Sequence, residues 1–186
     1  MARTPSNMLA LNTKAPDFSL PDTISDKNYT LQELKGHKAT LIMFICNHCP
    51  FVIHVNPQLV QLANEYQQKG ISFIAISSND IENYPQDSPD KMKLHAKENS
   101  YPFPYLYDET QDIAKAYKAA CTPDFYIFNH DLHLVYRGQL DDSRPGNGIL
   151  ITGNDIRNAL DNILNNTPIS KHQKPSIGCN IKWKNN

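Results

Sequence analysis

Two uninterrupted apolar runs indicate strands that are buried on both faces of a sheet. The first spans residues 39–45, and the second lies within ISFIAISS, residues 71–78. Between them, apolar side chains recur at helical spacing over residues 52–66, with Pro57 inside the helix, where it should cause a kink. This order predicts a parallel strand–helix–strand unit with a right-handed crossover.

Weaker patterns place further elements around this unit. Before the unit they predict a short strand in DFSLPD and a helix in TLQELKG with a capping box of Thr30 and Glu33. After it they predict a helix from Ser88–Pro89 to about Glu98, an extended segment at 102–108 and a helix capped by Asp108 and Gln111. The last predicted elements are a hairpin of DFYIF and LHLVYRG that turns at 129–131 and a helix after Thr152. We therefore expect an α/β fold, a central mixed β-sheet flanked by helices on both faces. Residues 1–186 are expected to form one domain, with residues 168–186 as a C-terminal tail packing on it.

Composition narrows the classes of partner. The formal net charge of the 186 residues is −1, which gives no field to attract nucleic acid or an acidic membrane surface. No apolar run approaches the ~20 residues of a membrane span, and the N-terminal stretch lacks the apolar core of a signal peptide. We therefore expect a cytoplasmic protein. Four cysteines are too few for a disulfide scaffold, and a close pair in a reducing compartment is typical of catalysis or metal binding.

The close pair lies in FICNHCPFV, where the first buried run gives way to the predicted helix. Cys46 and Cys49 are three residues apart, so both sulfurs should lie on one face of the first helical turn. Unpaired N–H groups there should stabilise a thiolate at Cys46, the expected nucleophile, and lower its pKa. Cys49 would resolve the mixed disulfide, while His48 could add a positive charge beside the pair.

A metal site and a structural disulfide are the alternatives for this pair. A C-x-x-C motif is half of a zinc site, but Cys121 and Cys179 are isolated and form no second pair. A structural disulfide is uncommon in a reducing compartment. The prediction is therefore redox use of Cys46 and Cys49, without a metal or other cofactor.

Further motifs resemble known families. CTPDFYIF places Pro123 directly before a predicted strand, as in the thioredoxin superfamily. KAPDFSL is similar to the redoxin branch of the alkyl hydroperoxide reductase/thiol-specific antioxidant type, and FICNHCP, ACTPDFYIF, YRGQLDD and SIGCNIKW together resemble a peroxiredoxin-like subgroup over essentially the whole chain. The resemblance implies a thioredoxin-like fold and a cis Thr122–Pro123 bond whose backbone binds an extended substrate strand.

The chain departs from the peroxidase pattern of these relatives. A peroxidase has Thr or Ser three residues before its reactive cysteine, whereas Met43 precedes Cys46 and Cys46 itself precedes Cys49. A peroxidase also needs an arginine beside the thiolate, for which Arg137 is the candidate.

Other positions leave roles open. Thr40 stands where thioredoxin has a buried acid, so His54 or Asp124 would have to accept the proton of the deeper cysteine. Cys121, beside the expected cis-proline, could be a third redox partner or a small buried hydrophobe. Cys179 could be a C-terminal resolving cysteine, as the resemblance permits, or an inert thiol.

Three functions compete on these grounds. The first is a thiol–disulfide oxidoreductase acting on a disulfide-containing protein or a small thiol, and recycled by a reductant. The second is a thiol-dependent peroxidase in which Cys46 or Cys49 forms a sulfenic acid. The third is a non-enzymatic metal- or cluster-binding module that uses Cys46, Cys49 and Cys121.

Overall fold

The computed structural model describes residues 3–185, so the outermost residues of the predicted domain, 1, 2 and 186, lie outside it. Along the described residues the elements are β1 (Arg3–Pro5), β2 (Ser19–Pro21), β3 (Asn28–Thr30), α1 (Leu31–Leu34), β4 (Ala39–Phe44), α2 (Pro50–Tyr66), β5 (Ile71–Ser77), α3 (Pro89–Glu98), β6 (Tyr105–Tyr107), α4 (Asp112–Ala116), β7 (Cys121–Thr122), β8 (Asp124–Asn129), β9 (Leu134–Gly138), α5 (Asn154–Leu164) and β10 (Ile177–Asn180).

The centre of the fold is a five-stranded sheet in the order β6–β5–β4–β8–β9. Strands β4, β5 and β6 are parallel, whereas β8 runs antiparallel to β4 and β9 antiparallel to β8. Every residue of β4 is buried, because this strand is central in the sheet and both of its faces are covered. The predicted mixed sheet is therefore confirmed.

Helices cover both faces of this sheet, as predicted. The apolar side chains of α2, α3 and α5 pack on one face in a common cluster. Those of α1 and α4 belong to a second cluster on the opposite face. Among the described residues, no helix is both long and apolar enough to cross a membrane.

Several local predictions are confirmed. Thr30 and Glu33 form the capping box of α1, and α3 begins directly after Ser88. Helix α2 begins at Pro50 and continues through Pro57. Proline is tolerated at the first position of a helix because the N–H that it lacks would have no intrahelical partner there.

A second, smaller sheet was not predicted. It has the order β1–β10–β7 and brings the C-terminal segment beside the loop that precedes β8. In β10, Cys179 is opposite Thr122 of β7, and Asn180 is opposite Cys121. Strand β10 of the tail thus lies beside the segment that contains Cys121 and Thr122.

The packing of α2 on the sheet gives a stability prediction. Leu59 is fully buried in the cluster that α2 shares with α5, whereas Ile53 of the same helix is 54% exposed. Leu59→Ala should lower the free energy of unfolding by about 2–5 kcal/mol, because it removes buried methyl groups and leaves a cavity. Urea unfolding of both variants checks this, with Ile53→Ala expected to cost far less; equal losses would contradict the packing described.

Candidate active site

Strand register brings three distant segments together at the carboxyl end of β4. Phe44 of β4 is opposite Asp124 of β8, so the residues after Phe44 continue alongside those before Asp124. This continuation places Cys46 beside Thr122, which in turn is opposite Cys179 of β10. The two cysteines of the C-x-x-C motif, Thr122 and Cys179 therefore meet at one point.

The sulfur atoms are in direct contact within this site. The Sγ of Cys46 lies 3.4 Å from the Thr122 hydroxyl, and the Sγ of Cys49 lies 3.1 Å from the Thr122 carbonyl oxygen. The Sγ atoms of Cys49 and Cys179 are 3.0 Å apart. This separation is longer than the ~2.05 Å of a disulfide bond. All three thiols are at most 1% exposed.

The start of α2 determines which cysteine faces the helix end. Because α2 begins at Pro50, Cys49 is the N-cap residue and has an extended backbone, with φ −73° and ψ 121°. A residue before proline is disfavoured in the helical region, so the Cys–Pro dipeptide imposes this arrangement. The expectation that both cysteines lie in the first helical turn is therefore wrong, and the positive end of α2 is at Cys49.

The acidities of the pair follow this geometry. A hydrogen bond from the Cys46 thiol lowers the pKa of Cys49 to about 5, and a further contact with Cys179 acts in the same direction. The same hydrogen bond, with burial and the nearby Asp87 carboxylate, raises the pKa of Cys46. Burial and the Cys49 contact raise the pKa of Cys179 to about 12. The expectation of a lowered pKa at Cys46 is thus wrong, because the donors converge on Cys49.

Asp87 organises the loop between the two cysteines. Its fully buried carboxylate accepts hydrogen bonds from the Asn47 backbone N–H and the Asn79 side chain, both at 2.8 Å. One of its oxygens is also 2.7 Å from the Nδ1 of His48, as a charge contact rather than an aligned hydrogen bond. The His48 ring stacks on Tyr84. Any positive charge on His48 is therefore paired with Asp87 and is not available to the sulfurs alone.

The Thr122–Pro123 peptide bond is cis, as the resemblance implies. Its surroundings differ from the expectation that its backbone binds an extended substrate strand. In this chain β10 pairs with β7, and the Ser176 hydroxyl donates to the Pro123 carbonyl at 2.6 Å. The protein's own C-terminal segment therefore occupies the edge at Thr122.

Arg137 and Cys121 lie apart from the sulfur contacts. The guanidinium of Arg137 donates to the Leu9 carbonyl and to Gln173, on the outer strand β9, so it is not the expected arginine beside a thiolate. Cys121 is fully buried and its Sγ is 3.6 Å from the Pro123 carbonyl oxygen. Burial raises the pKa of Cys121. No contact joins Cys121 to Cys46 among the described residues, which contradicts the expected reach and the three-cysteine metal module.

The two predicted proton acceptors also make other contacts. The Nε2 of His54 is 2.7 Å from the Ser143 hydroxyl. Asp124 accepts hydrogen bonds from Ser6 and Tyr126, on the face of the sheet opposite α2. Burial raises the pKa of Asp124 to about 6, but its contacts are not with Cys49. The hydroxyl of Thr40 accepts a hydrogen bond from Gly36 and lies at the other end of β4.

One group of side chains could offer ligands to a metal ion. The Sγ of Cys46, the Nδ1 of His48 and a carboxylate oxygen of Asp87 all lie within 4.8 Å of one another. A thiolate, an imidazole and a carboxylate are zinc ligands. Two of these groups already contact each other, since the Nδ1 of His48 is 2.7 Å from an oxygen of Asp87.

Comparison with known proteins places this site in a family. The model of the AhpC/TSA family matches residues 11–137, which is more than half of the chain. The chain belongs to the AhpC/TSA family.

Relatives of this AhpC/TSA protein support the fold and a redox role. It is 61% identical to an uncharacterised conserved protein from Geobacillus kaustophilus, with a TM-score of 0.99 and coverage of 100% of this chain and 98% of that one. It is 26% identical to the thiol-disulfide oxidoreductase ResA of Halalkalibacterium halodurans over 66% of this chain, and covers 64% of that relative, less than two thirds. A thioredoxin family thiol:disulfide interchange protein from Chlorobium tepidum shares the fold, with a TM-score of 0.64, 18% identity and coverage of 83% of this chain and 98% of that one. The protein thus has a thioredoxin-like fold and belongs to a family of redox enzymes.

Sequence reasoning missed one residue of this AhpC/TSA site, Asp87, and one contact of a residue that it did name, Cys179. Asp87 is in a polar loop and carries no motif. The contact between Cys179 and Cys49 joins positions 130 residues apart. A local signal did exist for the position of Cys49, because the proline that follows it excludes it from the helix.

The shared proton of the pair gives a titration prediction. Reduced protein should show a thiolate that forms near pH 5 and is lost in Cys49→Ala. Cys46→Ala should keep this thiolate but raise its pKa, because the main S–H donor is gone. Because the pKa of Cys49 is lowered on folding from ~8.5, the reduced protein should gain stability as the pH rises from about 5 to ~8.5, and lose it as the pH falls through 5.

Ultraviolet thiolate absorbance against pH provides the measurement, with Cys121→Ala as the control that should leave the curve unchanged. A low-pH thiolate that survives in Cys49→Ala and disappears in Cys46→Ala would reverse the assignment of the charge.

A second prediction concerns Asp87. Asp87→Ala should lower the free energy of unfolding by about 1–3 kcal/mol, because it leaves buried N–H donors without an acceptor. Asp87→Asn keeps an acceptor oxygen and should cost less, while it should lower the pKa of Cys46 by removing a negative charge. Urea unfolding and thiol titration provide the measurements, with the exposed Asp90→Ala as the control. Equal losses in Asp87→Ala and Asp90→Ala would mean that Asp87 does not anchor the loop.

Proposed function

We propose that this AhpC/TSA protein is a thiol–disulfide oxidoreductase that cycles Cys46 and Cys49 between dithiol and disulfide. The observation that carries the proposal is that both buried sulfurs meet at Thr122, with the Sγ of Cys46 3.4 Å from its hydroxyl and the Sγ of Cys49 3.1 Å from its carbonyl oxygen. A hydrogen bond from Cys46 lowers the pKa of Cys49 to about 5. A thiol of low pKa is a good leaving group, and a stabilised thiolate favours the reduced form. The Cys46–Cys49 disulfide is therefore readily reduced.

Oxidation of the pair begins with transfer of the Cys46 proton to the Cys49 thiolate. The Cys46 thiolate then attacks one sulfur of a substrate disulfide, forms a mixed disulfide and displaces a substrate thiolate, which takes the proton from Cys49. The Cys49 thiolate attacks the Sγ of Cys46, forms the Cys46–Cys49 bond and displaces the second substrate thiolate. The substrate gains two electrons and the pair loses two. A reductant reverses these steps when it attacks Cys46.

The substrate we propose is a small disulfide rather than a protein. Cys46 is 1% exposed, and β10 occupies the backbone edge at Thr122. A narrow cleft beside Pro123 is lined by His54 and Arg144, among others. The buried Nε of Arg144 has no hydrogen-bond partner among the described residues. The positive charge of Arg144 beside this cleft suits a disulfide that carries carboxylates. A small-molecule substrate needs no nucleic-acid or membrane partner. The cytoplasmic location remains a prediction.

A thiol peroxidase is the second candidate, and a specific contact favours it. The Thr122 hydroxyl is 3.4 Å from the Cys46 sulfur, so a hydroxyl group is present although the usual sequence position lacks one. A Cys46 thiolate would attack one peroxide oxygen, break the O–O bond and become a sulfenic acid, while the other oxygen takes the proton from Cys49 and leaves as an alcohol or water. Cys49 would then form the disulfide and release water.

The test compares two oxidants on fully reduced protein. Glutathione disulfide should oxidise the pair to a Cys46–Cys49 bond much faster than hydrogen peroxide does, as followed by quenched alkylation and mass spectrometry. Cys49→Ser should accumulate a glutathione adduct at Cys46, because no resolving thiolate remains, and Cys121→Ser should behave like the unaltered protein.

Rapid oxidation by peroxide with slow exchange with the disulfide would favour the peroxidase. Failure of both oxidants to form the Cys46–Cys49 bond would reject both functions.

A further inference from the structure

The strand that carries Cys179 approaches the cis-proline peptide very closely. Gly178 precedes Cys179 in β10, and a Cβ atom at this glycine would lie 2.0 Å from the Thr122 carbonyl oxygen and 3.1 Å from the Pro123 nitrogen. A side chain there would force the backbone apart, so the approach depends on glycine. The Ser176 hydroxyl adds a hydrogen bond to the Pro123 carbonyl. The position of Cys179 is thus fixed by its backbone.

This backbone places the Cys179 sulfur against Cys49. The two Sγ atoms are 3.0 Å apart, and Cys179 is 1% exposed. Cys49 therefore has a sulfur neighbour on each side, Cys46 within the motif and Cys179 from the C-terminal strand. Cys121 is just as buried but has no such contact.

The chemical state of the pair changes the properties of Cys179. Burial is the largest cause of the raised pKa of Cys179, and in the reduced protein a hydrogen bond with the Cys49 thiolate and repulsion by its charge raise it further. When Cys49 is oxidised its charge is lost, and both of these effects disappear. The positive charge of Lys182, which acts in the opposite direction, remains. Oxidation of the pair therefore removes two of the causes that keep Cys179 protonated, so its thiolate forms more readily when a disulfide lies 3.0 Å away, while burial still raises its pKa.

We propose that Cys179 is a third redox thiol that exchanges with the Cys46–Cys49 disulfide, an inference that rests on the proposed function. The Cys179 thiolate attacks the Sγ of Cys49, so that the Cys49–Cys179 bond forms and the Cys46–Cys49 bond breaks. Cys46 leaves as a thiolate and takes up the proton that Cys179 gave up. No oxidant or reductant is consumed, since one disulfide replaces another.

The exchange gives Cys46 a second state. Cys46 becomes a thiol again, because the disulfide now joins Cys49 and Cys179. This new bond links β10 to the start of α2. The C-terminal strand is then covalently held at the edge next to Thr122. The oxidised protein exists as two disulfide isomers that differ in which cysteine is reduced.

The test uses the full chain with Cys46→Ser, which keeps a hydroxyl donor beside Cys49. After treatment with a stoichiometric amount of diamide and alkylation of remaining thiols, peptide mapping should find a Cys49–Cys179 cross-link. Cys46→Ser/Cys121→Ser is the matched control and should keep the cross-link, whereas Cys46→Ser/Cys179→Ser should lose it. Cys46→Ser protein that forms only intermolecular or Cys121 disulfides would overturn the inference.

A second variant tests the geometry without changing a sulfur. Gly178→Ala should slow formation of the Cys49–Cys179 bond by roughly 100-fold in the Cys46→Ser background, as expected when reacting groups are displaced by about 1 Å. Cross-linking at an unchanged rate would contradict the role of the close approach.

Disulfide mapping of the natural chain distinguishes failure of this inference from failure of the proposed function. If the Cys46–Cys49 bond forms in the natural chain and in Cys179→Ser, but Cys49–Cys179 never forms, only the third thiol is rejected. If glutathione disulfide never oxidises the natural pair, the proposed function fails whatever the cross-link shows.

Discussion

A thiolate at Cys49, held out of water, is the constraint on which the site depends. Burying a charge is costly unless donors surround it. The chain supplies those donors from the Cys46 thiol and the end of α2, which are close in sequence, and from Cys179, which is 130 residues from Cys49. The register between β4 and β8 and the pairing of β10 with β7 therefore stabilise the Cys49 thiolate as well as the sheets.

Pro50 adds to the asymmetry of the pair, which comes first from the hydrogen bond between Cys46 and Cys49. Without a proline there, the helix could begin earlier and Cys46 would meet its N-terminal N–H groups. The proline instead keeps Cys49 extended at the cap, so the charge forms on the deeper sulfur. In the proposed cycle, Cys46 holds the proton in the resting state and passes it to Cys49 before it attacks. Nucleophile and stored charge are thus on different atoms.

Local patterns predicted most of the fold because its main elements bury continuous or periodic apolar faces. The central strand over residues 39–45, helix α2 and the hairpin at β8 and β9 are of this kind. The small sheet escaped prediction, since β7 has two residues and β10 four, too few to show alternation. In the candidate site, Cys46, Cys49, Thr122 and Pro123 were predicted from motifs, but Asp87 and the contacts between distant residues were not. The decisive contacts, Cys49 with Cys179 and Asn47 with Asp87, join positions 130 and 40 residues apart.

Strand β10 occupies the edge at Thr122 and also carries the sulfur that contacts Cys49. A peptide substrate would have to compete for the edge at Thr122 with β10, which belongs to the same molecule and is already paired. Such intramolecular pairing has the advantage of a high effective concentration. The close fit at Gly178 means that the strand cannot simply shift aside by a small amount and leave its contacts intact. The strand that occupies the edge at Thr122 is therefore also the one that holds a sulfur against Cys49, so the proposed preference for small substrates and the proposed third thiol have one structural cause.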